Sequence, residues 1–212
     1  MAEQIKWQIA EKIKGKAFAL MADESRDNGG HEQLSIVIRI VVNANNHKHI
    51  IQEYFISLIR LHEFDAQILS NEIVNYLTNY GVKLDSCIAQ SKHIDCDQSH
   101  LFNEIQVLKQ MLENKKLSSI AELYQHMKPL EQAFPRIMSM VQAALTIPVS
   151  SSTCERVFSK MNLIKTRIRN SMADERLGDL CILSIERDYE INFEQVIDQF
   201  SVVHKNSRIM LC

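Results

Sequence analysis

Two carboxylates stand where phosphoryl-transfer chemistry could use them. Asp23 follows the short apolar run Phe18 to Ala22, and Glu155 lies just after the serine-rich stretch Ser150-Ser151-Ser152-Thr153. Carboxylates hold the divalent cations that stabilise the attacking and leaving oxygens of such reactions. Mg²⁺, a hard ion, takes oxygen ligands for this role. Taken alone, Asp23 reads more readily as a turn residue bonding to Ser25 or Arg26. His93, Cys96 and His100, beside Asp95 and Asp97, offer zinc-type donors. Their spacing fits no familiar finger, so no metal is assigned to them. Arg156, Lys160, Lys165, Arg167 and Arg169 put five cations in a stretch whose single acid is Glu155. They could meet DNA phosphates, or form the solvated face of a helix.

These groups need elements to position them. Ile5, Ile9 and Ile13 recur at helical spacing up to Gly15. Ala17 to Ala22 reads as a strand ending at Asp23, with Asp27-Asn28-Gly29-Gly30 as a hairpin-type turn. Gln33 to Val42 and His49 to Ile59 supply two more strands around Asn43 to Asn46, giving an antiparallel meander. Asp65 caps a helix through Ile68, Leu69, Ile73 and Leu77 that ends at Gly81. Leu84 to Ala89 then reads as a fourth strand, parallel to its neighbour because a helix crosses over before it.

From His100 the period is helical. Leu101, Ile105, Leu108 and Leu112 mark one helix, the capping box Ser119-x-x-Glu122 opens another, and Ala133 to Leu145 forms a third. Val157, Met161, Ile164 and Ile168 then make an a/d-type stripe on the helix that carries Glu155. Asp174 opens a helix through Leu177, Leu180 and Leu183.

Composition narrows the options. The 212 residues include only 5 Gly and 3 Pro. That is roughly 4%, against about 12% in average usage, which disfavours a many-stranded sandwich or barrel. With 24 basic and 26 acidic side chains the net charge is -2, so bulk charge does not support stand-alone nucleic-acid binding. Five scattered cysteines without a Cys-x-x-Cys pair read as reduced thiols of the cytosol or nucleus. No apolar run is long enough to span a membrane, and the first residues lack a signal-peptide core.

Two stretches resemble one family. Phe18-Ala19-Leu20-Met21-Ala22-Asp23-Glu24-Ser25, with Glu32-Gln33-Leu34-Ser35-Ile36, resembles the opening of the catalytic domain of hAT-superfamily transposases, in particular the domesticated, zinc-finger MYM-type versions. Ile147 to Ser159, with Leu163 to Arg167, Arg169 to Met172 and Glu175 to Leu177, resembles the hAT C-terminal dimerisation region. The resemblance implies a ribonuclease-H-like fold, with Asp23 as the first catalytic acid and Glu155 as the third. The family's second acid lies after the fourth strand in a Gln-x-aromatic-Asp-Gly-Ala pattern. Here Ala89-Gln90-Ser91 runs on into Lys92-His93-Ile94, and Asp95 and Asp97 come a few residues late. A metal site tolerates only about half an ångström of misplacement, so neither is expected to replace it.

The resemblance therefore implies an internally deleted transposase remnant. The expected fold is α+β, a truncated ribonuclease-H-like sheet followed by a mainly helical C-terminal half. Its parts would be 1–90, a deletion junction at 91–99, a helical insertion remnant at 100–146 and the dimerisation region at 147–200. The expected function is protein dimerisation without catalysis and without a cofactor, Mg²⁺ entering only if the acidic site is complete. The expected contact residues are Val157, Phe158, Met161, Leu163, Ile164, Ile168, Leu177, Leu180 and Leu183. The partner would be a second copy or a related hAT-derived protein, in the nucleus. DNA binding through Lys160, Lys165, Arg167 and Arg169, or residual Mg²⁺-dependent nuclease activity, are the alternatives.

Overall fold

The computed structural model describes residues 1–42, 50–61, 66–88, 98–113, 115, 117–148, 150–166 and 171–203. Helix α1 (Ala2–Ile13) buries Ile5, Ile9 and Ile13 as their spacing demands. It ends before Gly15, whose φ of +71° is a left-handed conformation that glycine adopts without strain. Strands β1 (Phe18–Arg26), β2 (Glu32–Val41) and β3 (Ile51–Arg60) form a three-stranded antiparallel sheet in the order β1-β2-β3. The meander stands. Strand β1, however, runs past the expected end, so Asp23 lies inside it, paired with Ser35.

The Asp27 carboxylate explains that extension. It accepts hydrogen bonds from the backbone N–H groups of Gly29 (2.8 Å) and His31 (3.0 Å), closing the turn four residues beyond Asp23. The Arg26–Glu32 ion pair locks the last rung of the ladder.

Helix α2 (Ala66–Asn79) follows and ends at Gly81, which has φ +70°. The expected fourth strand is reduced to a 3₁₀ turn at Leu84–Ser86 and one parallel bridge, Phe18 to Cys87. The Ile88 N–H donates to the Phe18 carbonyl at 2.8 Å, on the side of β1 away from β2. Beyond Phe18, no strand of the described residues pairs with that outer edge. The turn expected at Asn43 to Asn46, the Asp65 cap and the 91–99 junction up to Asp97 lie outside the described residues.

Helices α3 (Gln98–Leu112), α4 (Ile120–Met127) and α5 (Pro135–Thr146) form a satellite cluster around Tyr124, Met127, Phe134 and Met138. It is anchored on Val41 and Ile51 of the sheet. Ser119 caps α4 by accepting the Glu122 N–H at 3.2 Å, while the Glu122 carboxylate takes the Ser118 N–H at 2.7 Å. Helix α6 (Ser152–Ile164) packs on the sheet and on α7 (Asp174–Ile185), which runs against β3 and α1. Gly178 brings α7 close: a Cβ there would lie 3.6 Å from the Leu58 carbonyl oxygen. A last helix, α8 (Phe193–Val203), is capped by Asn192, whose Oδ1 accepts the Gln195 N–H.

One core joins both ends of the chain. Ile5, Ile9, Phe18, Ile36, Ile38 and Phe55 pack with Val157, Met161, Leu177 and Cys181. Strand β2 is buried without a break from Gln33 to Ile38, so both faces of the sheet are covered. Helices α1, α2, α6 and α7 close it.

Candidate functional site

Strand alternation places Asp23 on the face of the sheet that also carries Met21, Ser35 and Arg39. Helix α6 lies against that face. Its first turn delivers Thr153 and Cys154, both buried, and Glu155, exposed. The Thr153 hydroxyl donates to the Glu53 carboxylate. Glu53 also receives Arg39 Nη1 at 3.1 Å, and Arg39 Nε donates to the Leu145 carbonyl at 3.2 Å. Burial pushes the Cys154 thiol up to about 11, the Ser35 hydroxyl opposes this, and the charges of Asp23 and Glu53 add to it. Such a thiol stays protonated and is a poor nucleophile.

Asp23 and Glu155 therefore come from packed elements, β1 and α6. Asp23 is half-buried, and its Oδ1 accepts its neighbour Glu24's N–H at 2.9 Å. Among the described residues no three His, Cys, Asp or Glu side chains gather in a way that could hold a metal ion. Asp95, Asp97, His93 and Cys96 lie outside the described residues, and His100 sits exposed on α3.

The structure divides the expected contact residues. Val157, Phe158, Met161 and Leu177 are buried in this chain's own core, and Ile164 and Leu183 pack against it. Leu180 is half-buried, while Leu163, 71% exposed, points away. The reason is geometric: a stripe at helical spacing on a helix laid over a sheet is consumed by that sheet. Ile168 lies outside the described residues.

The basic residues divide too. Lys165 is 1% exposed, its ammonium 2.6 Å from a carboxylate oxygen of Asp27, whose side chain is wholly buried. It is thus unavailable to a phosphate, and its place among the DNA contacts is corrected. Asp27 is also held by Gln33 Nε2 at 3.1 Å, and Asn28 Nδ2 donates to the Lys165 carbonyl at 2.6 Å, covering the end of α6. Burial raises the Asp27 carboxyl, but the Lys165 ammonium and the His31, Gln33 and Gly29 donors outweigh it, bringing it to about 2. Lys160 is half-buried and Arg156 exposed, while Arg167 and Arg169 lie outside the described residues.

Sequence reasoning missed three positioning groups: the Asp27–Lys165 pair, the Arg39–Glu53–Thr153 chain and Glu186. At the end of α7, Glu186 accepts the Phe55 N–H at 2.8 Å, close to the register shift between β2 and β3. Burial pushes its carboxyl up to about 7 despite the Phe55 N–H and the nearby Lys12 and Arg156. Residues 1–61 are thereby tied to 153–186 by polar as well as apolar contacts.

That interlocking is the setting for the comparisons with known families. Residues 1–104 match the family described as the ZMYM1/FAM200 RNase-like domain. Residues 99–189 match the hAT family C-terminal dimerisation region. Together they are consistent with a hAT transposase-derived protein. The two matches meet within α3, and between them they account for the sheet and for α1 to α7 of the chain. No curated protein and no solved structure gives a significant match. The dimerisation region supports a dimerisation role. No helix of the described residues is long and apolar enough to cross a membrane.

Proposed function

We propose that this hAT-derived chain is a self-associating protein without nuclease activity. The observation that carries the reading is the match of residues 99–189 to the hAT dimerisation region. Within that span exposed apolar side chains include Phe102, Ile105, Val107 and Met111 on α3, Ile120 on α4, Met140 on α5 and Leu163 on α6. An apolar patch shared by neighbouring helices is what a partner covers. The contact surface in this reading is carried by α3 to α5 together with Leu163, while the buried stripe of α6 belongs to the main core. The inactivity in this reading rests on the sequence, in which Ala89-Gln90-Ser91 runs on without the Asp-Gly-Ala of the family's pattern. The same family ground assigns the chain to the nucleus.

Multi-angle light scattering of the purified chain tests the association. A dimer at micromolar concentration is expected, and a monomer at all concentrations would remove the reading. Incubation with Mg²⁺ and single- or double-stranded DNA tests the inactivity. Cleavage that disappears in Asp23→Ala would restore an active site.

A further inference from the structure

A cavity of about 240 Å³ opens where α1 and α2 end beside the start of β1. Lys14 and Lys16 reach it from the segment after α1, Lys83 and Ser86 from the segment after α2, over Phe18 and Val82. No carboxylate lines it. Lys14 pairs with the exposed Glu11 at 3.2 Å, whereas Lys16 and Lys83 have no ion-pair partner among the described residues. The left-handed turns at Gly15 and Gly81 bring the two segments together there.

Lysines after a helix end often offset the partial negative charge of its last carbonyls. That explanation is too small here. Two helix ends supply roughly half a charge each. Of the three ammoniums only Lys14 has a carboxylate within ion-pair distance among the described residues, so Lys16 and Lys83 keep their charges for a ligand. The Lys16 charge is also felt by Lys12, which is lowered first by its own burial and further by Lys16, against the pull of Glu186. At this size the cavity is smaller than the roughly 300–1,000 Å³ of drug-sized ligand sites, so its occupant is a compact anion.

We propose that this cavity binds phosphate oxyanions, offered by a free oligophosphate or by a polynucleotide backbone. Lys16 and Lys83 hold the charge, Lys14 closes the rim and the Ser86 hydroxyl donates to an oxygen. The site lies at the Phe18 end of β1, away from Asp23, and stands independently of the dimerisation reading.

The test uses the full chain, titrated at low salt with inorganic pyrophosphate in one arm and a short single-stranded oligonucleotide in the other. Binding is read by calorimetry and by the rise in melting temperature that a ligand of the folded state produces. Lys16→Gln/Lys83→Gln should weaken binding by about tenfold or more, since each lost charge-assisted contact is worth on the order of tenfold. It should also abolish the ligand-dependent rise in melting temperature. The double variant Lys109→Gln/Lys115→Gln, with the same change in net charge, should keep both. Lysine-dependent binding in the pyrophosphate arm identifies a free anion as the ligand, and binding confined to the oligonucleotide identifies a backbone; both uphold the site. Absence of binding in both arms, or equal weakening in the two double variants, overturns it. A melting temperature lowered by Lys16→Gln/Lys83→Gln without any anion dependence in the natural chain also overturns it, leaving the lysines as helix-end counter-charges.

Discussion

The core shared by α1, the sheet, α6 and α7 and the satellite of α3 to α5 are built on opposite principles. In the first, the side chains of β2 from Gln33 to Ile38 are all buried, and α6 and α7 bury Val157, Met161, Leu177 and Cys181 against them. In the second, Phe102 is 59% exposed, and Ile105, Val107, Met111, Ile120 and Met140 are also exposed. The dimerisation match spans both. The difference teaches that one sequence family region can serve two purposes: its α6–α7 part completes the fold of the chain, and its α3–α5 part keeps apolar surface in reserve.

The sharpest way to break the comparison is the Asp27–Lys165 pair. Lys165→Ala leaves a buried carboxylate without its cation and should cost about 3–5 kcal/mol. Asp27→Asn/Lys165→Met, which removes both charges, should recover much of the loss in urea unfolding. Next comes Met161→Ala. It should cost about 2–5 kcal/mol because it empties a fully buried position, and it should do so without a selective effect on association. On the satellite, Phe102→Ser/Ile105→Ser should move stability by only about 0.5 kcal/mol per site. The same variant should convert a dimer to monomer in sedimentation velocity. If the two variants exchanged phenotypes, the division into core and surface would be wrong.

The pH dependence is distinct for the two buried acids of the main core. Asp27 is lowered in the folded state, so its contribution is present above the ordinary carboxylate range and is lost as pH falls toward about 2. Glu186 is raised, so its contribution is full below the ordinary range and is lost as pH climbs through about 7. Glu186→Gln keeps an oxygen for the Phe55 N–H and has no charge to bury. It should match the natural chain near pH 4 and exceed it by about 1–2 kcal/mol at pH 8 in urea unfolding. The smallest effect belongs to Ser119→Ala. Loss of that cap should cost about 1 kcal/mol, seen as faster amide exchange in α4 with β2 unchanged.

Local order was legible where one residue's neighbours decide it. Ile5, Ile9 and Ile13 announce α1, the Asp27-Asn28-Gly29-Gly30 turn announces the hairpin, and Ser119 with Glu122 announces α4. What a face packs against is a long-range fact, so the stripe of α6 reads the same whether a sheet or a partner covers it. Lys165 finds its carboxylate 138 positions away, and nothing within its own tract distinguishes it from Lys160. Asp23 misled because its strand ends where Asp27 can take backbone N–H groups, not at the first acid. Helix α8 did have a signal, Asn192 followed by Phe193, Val196 and Ile197, and went unread.

The single rung between Phe18 and Cys87 has a consequence for solubility. Past it, the flank of β1 that no strand of the described residues pairs is the kind of edge from which cross-molecular ribbons grow. Toward the hairpin the strand carries Asp23, Glu24 and Arg26, and their charges make that end of the flank a poor template for stacking. The hairpin tip thus acts as a gatekeeper for the whole sheet.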